Sequence, residues 1–401
     1  MDKADELVAL GAARHREGRL AEAESLYRRC LRLRPQHPDA LNLLGLLLRQ
    51  TGRLEEGLAL SARAAALLPA AWAVQANYAA ALAEAGRLDQ AIPLMQRVLA
   101  ANPEDAMTWR NLGQALVAAG RPDAAIAPLE TATRLAPEAP EAWLMLAHAR
   151  AELGRGEAAR EAAMRALGLS RRQPALAEQA SFLLAALGAA PPPERAPPAY
   201  LRALFDRFAP RFDADLQGAL GYRTPALLAE ALQASGAPAG GAVCDLGCGT
   251  GLSGVALRPM AGRLEGVDLS PRMLEQARAR GIYDALHEAD LLAFLPRRRA
   301  AFDVIAAADV LNYLGELAPA LAAMRRALRP GGRAGFSIEA ALPGETDRPF
   351  RLGEGLRYRH QPRYVAELAK GAGFTVLAEQ PCILRQEKGS PVAGVLFVLG
   401  T

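Results

Sequence analysis

The sequence is poor in the residues that mark disulfide-rich and metal-binding proteins. Its 401 residues include only four cysteines, and no two of them form a Cys-x-x-Cys pair; they are Cys30, Cys244, Cys248 and Cys382. This spacing matches no zinc motif, and we expect no metal site. Unpaired cysteines of this kind are typical of a reducing compartment, so the sequence predicts a cytoplasmic protein.

Long uncharged stretches and lysine are also scarce. The segment from Met1 to Leu20 carries charges throughout, and nowhere do 18 uncharged apolar residues follow one another. We therefore expect neither a signal peptide nor a membrane span. Only three of the 47 basic residues are lysine, and the net charge is +4 without a basic domain. This balance does not support a nucleic-acid partner.

Small residues and prolines recur with a period of 34 residues through the first half of the chain. The pattern predicts pairs of helices, in which a glycine ends the first helix and a proline follows the second. The glycines are Gly18, Gly52, Gly86, Gly120 and Gly154, and the prolines are Pro35, Pro69, Pro103 and Pro137. This period resembles the tetratricopeptide repeat. It implies an all-α superhelix over residues 1–188, with five units spanning 4–173 and a capping helix at 174–188.

The resemblance also implies a concave surface that binds a protein or peptide. Asn77, Arg110 and Asn111 occupy first-helix positions expected on that surface, where they could hydrogen-bond an extended backbone. Two alternatives remain open at this stage. The surface could be solvated, or the repeats could pack on the second half of their own chain.

A proline-rich segment, residues 189–199, separates the two halves of the sequence. Its prolines predict an extended, semi-rigid spacer before a second domain at 200–401. The following residues Leu201, Leu204, Phe205 and Phe208 fall on one helical face. Such a helix either packs against a core or covers a ligand pocket.

Residues 243–251 read Val-Cys-Asp-Leu-Gly-Cys-Gly-Thr-Gly, which indicates a buried strand followed by a turn into a helix. Glycine suits such a turn because it takes positive φ and has no Cβ to hold a ligand away. A dinucleotide fingerprint needs Gly-x-Gly-x-x-Gly, but here the third glycine is Gly251 and Leu252 holds the dinucleotide position. This spacing sets the dinucleotide alternative aside.

The pattern instead resembles motif I of the class I S-adenosylmethionine-dependent methyltransferases. Asp268 ends the next strand, Asp290 follows a third, and 301–306 and 328–332 match later family landmarks. The resemblance implies a Rossmann-like α/β domain with a mostly parallel seven-stranded sheet, closed by a hairpin of 374–380 and 392–399. It implies S-adenosyl-L-methionine as cofactor, bound by Asp245, Gly247, Cys248, Gly249, Gly251, Asp268, Leu269, Asp290 and Leu291.

The methyl acceptor should lie beyond the fourth and fifth strands. His360 is a candidate general base because imidazole titrates near neutrality, although a lone histidine is more often structural. Asp309 and Tyr313 are the other catalytic candidates. Candidate substrate-binding residues are Tyr222, Arg223, Asn312, Tyr358 and Arg359.

Two classes of function follow from these patterns. The favoured one is methyl transfer to an oxygen or nitrogen of a small molecule, or of a protein recruited by the repeats. The rival is an interaction protein that binds cofactor without catalysis and works through its repeats. The sequence does not identify the methyl acceptor or the oligomeric state.

Overall fold

The chain folds into two compact units, Met1–Arg172 and Gln173–Thr401. The structure, a computed structural model, describes residues 2–219, 221–342, 344, 347–353, 355–387 and 389–401. Among these residues, no helix combines the length and the apolar character needed to cross a bilayer.

The first unit consists of five helix pairs with the 34-residue period of the sequence. Its helices are α1 Lys3–Arg16, α2 Leu20–Leu33, α3 Pro38–Gln50, α4 Leu54–Leu67, α5 Trp72–Glu84, α6 Leu88–Ala101, α7 Ala106–Ala118, α8 Pro122–Leu135, α9 Pro140–Glu152 and α10 Gly156–Leu169. The five periodic glycines all have positive φ between 70° and 85°, directly after the first helix of each pair. The expected all-α repeat architecture is therefore confirmed.

Small residues let the two helices of a pair approach closely. A Cβ added to Gly11 would lie 2.6 Å from the Tyr27 ring, and one added to Gly113 would lie 2.4 Å from Cγ of Leu129. Tyr27 and Leu129 are fully buried. The periodic small positions are thus the places where a large side chain of the second helix fills the space beside the first.

The second unit contains nine helices and nine strands in the part of the chain that the structure describes. The helices are α11 Pro174–Ala186, α12 Pro198–Phe208, α13 Phe212–Ala214, α14 Thr224–Ala234, α15 Leu252–Leu257, α16 Pro271–Ala279, α17 Leu291–Phe294, α18 Ala318–Ala327 and α19 Pro362–Gly371. The strands are β1 Gly241–Leu246, β2 Ala261–Asp268, β3 Ala285–Glu288, β4 Phe302–Ala307, β5 Leu328–Ala340, β6 Phe350–Leu352, β7 Tyr358–His360, β8 Thr375–Glu387 and β9 Ser390–Gly400.

The strands form one mostly parallel sheet. Strands β3, β2, β1, β4 and β5 are neighbours in that order, and each adjacent pair is parallel. The antiparallel β8–β9 hairpin joins β5 through β9, which confirms the hairpin expected at the end of the sequence. Seven strands were expected; the structure adds the three-residue strands β6 and β7, which extend the edge of β5. Runs this short give no periodic signal in a sequence.

The boundary between the units lies earlier than the sequence predicts. Helix α11, expected to cap the repeats, groups with the second unit. The Phe182 ring of α11 lies with its centroid 5.6 Å from that of Tyr200 and 6.4 Å from that of Tyr358. Aromatic packing therefore holds α11 to the second unit.

The proline-rich segment is also part of the second unit rather than a free spacer. The Ala196 amide donates to the Tyr313 carbonyl at 2.9 Å, and the Glu194 carbonyl accepts from the Gly315 amide at 2.8 Å. Prolines leave a backbone with few donors, so the carbonyls carry much of this docking.

The close contacts of the repeats predict opposite effects for two glycine-to-alanine substitutions. Gly113→Ala should destabilise the protein by about 1–3 kcal/mol, because the new methyl group meets the buried Leu129. Gly168→Ala, at an exposed helical position with nothing within 4 Å of the added Cβ, should stabilise it by up to about 1 kcal/mol. Urea unfolding followed by circular dichroism measures both, and equal effects would contradict this account of the packing.

Candidate functional site

The carboxyl ends of β1, β2 and β4 meet at a cavity of about 450 Å³. The glycine turn that follows β1 forms part of its wall through Gly247, Cys248 and Gly249. Gly247 and Gly249 have φ of 60° and 53°, in the left-handed region that glycine adopts most easily. A Cβ on Gly247 would lie 2.3 Å from a methyl carbon of Val310, the residue after Asp309. The turn can therefore reach the loop after β4 only with glycine at this position.

Asp268 lies at the end of β2 and binds the turn directly. Its Oδ2 accepts from the Gly249 amide at 2.9 Å, and its Oδ1 accepts from the Ser270 amide at 2.8 Å. Burial raises the pKa of Asp268, although these backbone donors oppose the shift. Each carboxylate oxygen keeps a further lone pair for a hydroxyl donor in the cavity.

Asp290 lines the cavity next to β3 and pairs with an arginine that the sequence analysis did not single out. Its carboxylate forms an ion pair with the guanidinium of Arg195, from the proline-rich segment. Its Oδ1 also accepts from the Leu292 amide at 2.8 Å, which caps α17. The neighbouring residues Leu269 and Leu291 line the same cavity.

Asp245 is fully buried behind the glycine turn rather than in the cavity wall. Its Oδ2 accepts from the hydroxyls of Ser253 at 2.7 Å and Tyr283 at 2.6 Å. Its Oδ1 is buried with no hydrogen-bond partner among the described residues. Burial raises the pKa of Asp245 to about 6. Asp245 therefore supports the glycine turn from its buried side, because it binds Ser253 of α15, the helix that follows the turn.

A lid segment, residues 198–216, closes one side of the cavity with apolar side chains. The lid residues that line the cavity are Tyr200, Leu201, Leu204, Phe205, Phe208, Phe212, Asp215 and Leu216. Polar contacts fasten the lid on the side of the glycine turn. Asp206 accepts from the Ser270 hydroxyl at 2.6 Å, and Asp213 accepts from the Thr250 hydroxyl at 2.5 Å. Of the two alternatives for this helix, the structure supports the one in which it covers a pocket.

The loop after β4 supplies the polar groups opposite the lid. Asp309 has a φ of 54°, which is uncommon for a residue other than glycine and is characteristic of functional sites. Its carboxylate accepts from the Ser337 hydroxyl at 2.7 Å, and Tyr222 donates a further hydrogen bond. Burial raises the pKa of Asp309.

Asn312 and Tyr313 complete this side of the cavity. The Asn312 side chain is only 2% exposed, and its Oδ1 has no hydrogen-bond partner in the described chain. Its Nδ2 donates to Oε1 of Glu339 at 3.4 Å. The Tyr313 ring meets Phe205 of the lid edge-on, with centroids 5.5 Å apart. Asn312 therefore presents a spare acceptor beside an aromatic wall.

Two arginines at the far end of the cavity are held by acidic partners. Arg357 donates to Glu339 at 2.6 Å and forms an ion pair with Glu387. Arg385 donates to Glu339 at 2.5 Å and to Glu387 at 3.2 Å. Burial alone would raise the pKa of Glu339, but the two arginines outweigh it and lower that pKa. Both guanidinium groups are thus fixed and already paired with carboxylates.

Several predicted site residues lie outside the cavity wall. His360 is fully buried, its Nε2 donates a hydrogen bond to the Gly315 carbonyl at 3.0 Å, and burial lowers its pKa to about 4. Tyr358 faces the same side as His360 and donates to the Pro193 carbonyl at 2.7 Å. Arg359 is half-buried near Glu339, and Arg223 is exposed before α14.

The alternation of side chains along β7 explains why these predicted site residues lie outside the cavity wall. Tyr358, Arg359 and His360 were all expected near the methyl acceptor, but successive side chains of a strand point to opposite faces. In β7 the first and third residues are buried together, while Arg357, just before the strand, lines the cavity. With a pKa near 4, the buried His360 is neutral at pH 7, and its side chain lies outside the cavity wall. Gly251, too, is outside the wall, where it caps α15 with a φ of 95°.

The candidate peptide-binding residues lie on α5 and α7 of the repeats. The Asn77 side chain donates to Oδ1 of Asn42 in the preceding repeat at 3.0 Å. Arg110 donates to Oδ1 of Asn111 at 3.3 Å. Corresponding first-helix positions of neighbouring repeats thus carry hydrogen-bonding side chains.

The titration of Asp245 gives a pH prediction. Its pKa is raised from 3.8 to about 6, so the folded state binds protons more tightly than the unfolded state. Its contribution to folding stability therefore falls as the pH rises from about 4 to about 6. In cofactor-free protein, Asp245→Asn should gain stability relative to the unmodified chain over this range, by up to about 3 kcal/mol. Urea unfolding at a series of pH values measures the difference, and a difference independent of pH would rule out the raised pKa.

Comparisons with known proteins agree with this architecture. A family model described as a methyltransferase domain matches residues 243–332, which include the glycine turn, Asp268 and Asp290. Models described as tetratricopeptide repeats match residues 8–72, 69–138 and 110–174. A solved structure of an S-adenosylmethionine-dependent methyltransferase from Mesorhizobium loti aligns over 96% of its own chain and 43% of this chain, at 22% identity and a TM-score of 0.37.

Two curated relatives are similar to this chain over stretches of 112 and 101 residues. Human methyltransferase-like protein 27 is 39% identical over 112 residues, which cover 27% of this chain and 45% of the relative. A ubiquinone biosynthesis O-methyltransferase of Xylella fastidiosa is 34% identical over 101 residues, which cover 23% of this chain and 40% of the relative. The chain therefore spans less than half the length of these two relatives. Residues 8–174 therefore match models of tetratricopeptide repeats, and residues 243–332 match a model of a methyltransferase domain.

Proposed function

We propose that the second unit transfers a methyl group from S-adenosyl-L-methionine to an oxygen or nitrogen nucleophile. The observation that carries the proposal is the hydrogen bond between the glycine turn and Asp268, in the wall of a cavity that the lid segment covers. In parallel sheets, ligands bind at the carboxyl ends of the strands, and a carboxylate at the end of the second strand suits ribose hydroxyls.

The residues of the cavity fit this cofactor along its length. The spare lone pairs of Asp268 suit the two ribose hydroxyls, and Asp290, with Leu291, suits the adenine edge. The absence of a side chain at Gly249 lets the amino-acid end of the cofactor approach the backbone of the turn. Bound there, the cofactor supplies a methyl group on a positively charged sulfur.

The chain's own contribution is to position the acceptor and to exclude water. Phe205, Phe208 and Phe212 of the lid form an apolar wall, and positioning contributes roughly 7–11 kcal/mol to reactions of this kind. Asp309 and the spare Oδ1 of Asn312 accept hydrogen bonds, so they suit an acceptor that carries an O–H or N–H group. Asp309 is therefore our general-base candidate, with Tyr222 and Tyr313 beside it. His360 has no part in this proposal because it lies outside the cavity.

The size of the acceptor stays open between two kinds of molecule. The apolar, lidded cavity favours a small molecule, whereas Asn77, Arg110 and Asn111 of the repeats favour a recruited protein. The rival function, a scaffold that binds cofactor but transfers no methyl group, retains the same cavity. Binding and transfer must therefore be measured separately.

Cofactor binding is the first prediction. Calorimetric titration of the full chain should detect binding of S-adenosylmethionine, and Asp268→Ala should weaken it about tenfold or more, because two hydroxyl partners are lost. Asp284→Ala is the matched control. Asp284 also accepts a backbone amide, that of Leu264, but lies outside the cavity, so its loss should leave the affinity unchanged. If the unmodified chain does not bind S-adenosylmethionine, the proposal that it is a methyltransferase is wrong.

Methyl transfer is the second prediction. With methyl-labelled cofactor and a cell lysate, the full chain should label an acceptor, and Asp309→Asn should bind cofactor normally but lose most of the labelling. Asparagine tolerates the positive φ of this position, so the variant should fold.

Separation of the labelled products by size distinguishes the acceptors. Labelling of a protein that falls in the Arg110→Ala, Asn111→Ala double variant would assign the acceptor to the repeats. Labelling of a small molecule that the double variant leaves unchanged would assign it to the cavity alone. Arg97→Ala, exposed on a second helix, is the control. Cofactor binding without any labelling would favour the scaffold.

A further inference from the structure

Arg195 is a cavity residue that comes from outside the methyltransferase landmarks. It belongs to the proline-rich segment, 95 residues before Asp290, yet its guanidinium pairs with the Asp290 carboxylate through Nη1 and Nη2. The Arg195 side chain is about 30% exposed and Asp290 about 18%, so the pair lies in the cavity wall rather than in bulk solvent.

The backbone on both sides of Arg195 is fixed without help from its side chain. The Glu194 carbonyl accepts from the amides of Gly315 and Glu316 at 2.8 and 3.0 Å, and the Ala196 amide donates to Tyr313 at 2.9 Å. The Tyr358 hydroxyl donates to the Pro193 carbonyl at 2.7 Å. Truncation of Arg195 should therefore leave the segment docked, and effects on ligand binding can be separated from effects on folding.

The pair offers a donor and an acceptor side by side. Nη1 and Nη2 of Arg195 face the carboxylate, while its Nε–H is buried and has no hydrogen-bond partner in the described residues. An unpaired buried donor costs free energy, so a site that keeps one is suited to a ligand that pairs with it. An adenine edge presents an amino donor next to ring-nitrogen acceptors. Asp290 and Nε of Arg195 match these two groups.

We propose that Arg195 is a cofactor-positioning residue that sets the preference for adenine. It fixes the Asp290 carboxylate toward the adenine amino group and offers Nε–H to a ring nitrogen. This inference rests on the proposed cofactor, but it concerns a residue that the glycine turn and Asp268 do not require.

Binding measurements on the full chain test the role of Arg195. S-adenosylhomocysteine and its inosine analogue, in which a carbonyl replaces the adenine amino group, are titrated calorimetrically. The unmodified chain should prefer the adenosine form. Arg195→Ala should bind that form about tenfold more weakly and lose most of the preference, because a charge-assisted pair and a donor disappear together. Arg195→Lys should keep part of the affinity, since it retains the charge beside Asp290, but not the second donor.

Arg202→Ala is the matched control. Arg202, on the lid segment that follows Arg195 in the chain, pairs with Glu288 at 2.8 Å, but both side chains are nearly half exposed and neither lines the cavity. Its loss should leave both affinities unchanged, and the thermal midpoint of ligand-free Arg195→Ala should match that of the control. An Arg195→Ala protein that binds S-adenosylhomocysteine as tightly as the unmodified chain, or more tightly, overturns the role of Arg195 alone. An unmodified chain that binds neither ligand overturns the proposed cofactor as well.

Discussion

The contact between the glycine turn and the loop after β4 is the constraint on which the candidate site depends. Gly247 and Val310 are so close that a Cβ at Gly247 would overlap the valine. Asp309, the residue before that valine, takes a left-handed conformation, and its amide donates to the Ser337 hydroxyl on β5 at 2.7 Å. The turn after β1 and the loop after β4 can therefore pack this closely only with glycine at position 247. Their contact brings the residues proposed to bind the cofactor and those proposed to bind the methyl acceptor into one cavity.

The same physical device organises the repeats. There, Gly11, Gly45 and Gly113 lie where a Cβ would overlap a side chain of the paired helix, namely that of Tyr27, Ser61 or Leu129. A small residue recurs at this position every 34 residues, with alanine at Ala79 and Ala147, because each pair repeats the same helix crossing. Close contacts of this kind require small residues at fixed spacings in the sequence. The helix pairs could therefore be predicted from their 34-residue period, and the glycine turn from the local spacing of its glycines.

Pairs of residues that are far apart in the sequence produce no such local pattern. Arg195 and Asp290 are 95 residues apart, and Arg385 reaches Glu339 across 46 residues, so no local spacing marks either pair. Asp268, Asp290 and Asp309 could be identified from the sequence because each lies at the end of a predicted strand or within two residues of it. Arg195 and Arg385 could not be identified, since arginine is abundant in this chain and is exposed by default. The misplacement of His360 has the same origin: β7 is too short for its alternation to be read.

Burial and charge then determine what the cavity can hold. Glu339 and Glu387 meet Arg357 and Arg385, so the cationic groups at that end are compensated within the protein. On the side of Asp309 and Asn312 the cavity presents acceptor oxygens, and Oδ1 of Asn312 has no partner among the described residues. Beside Asp290, the donor Nε of Arg195 likewise has no partner among them. Since buried polar groups need partners, an acceptor-rich end suits a ligand group that donates a proton, and a mixed donor–acceptor end suits a heteroaromatic base. The two ends of the cavity therefore differ in the chemistry they accept. In the proposed function, this difference gives the cofactor and the methyl acceptor a defined orientation relative to each other.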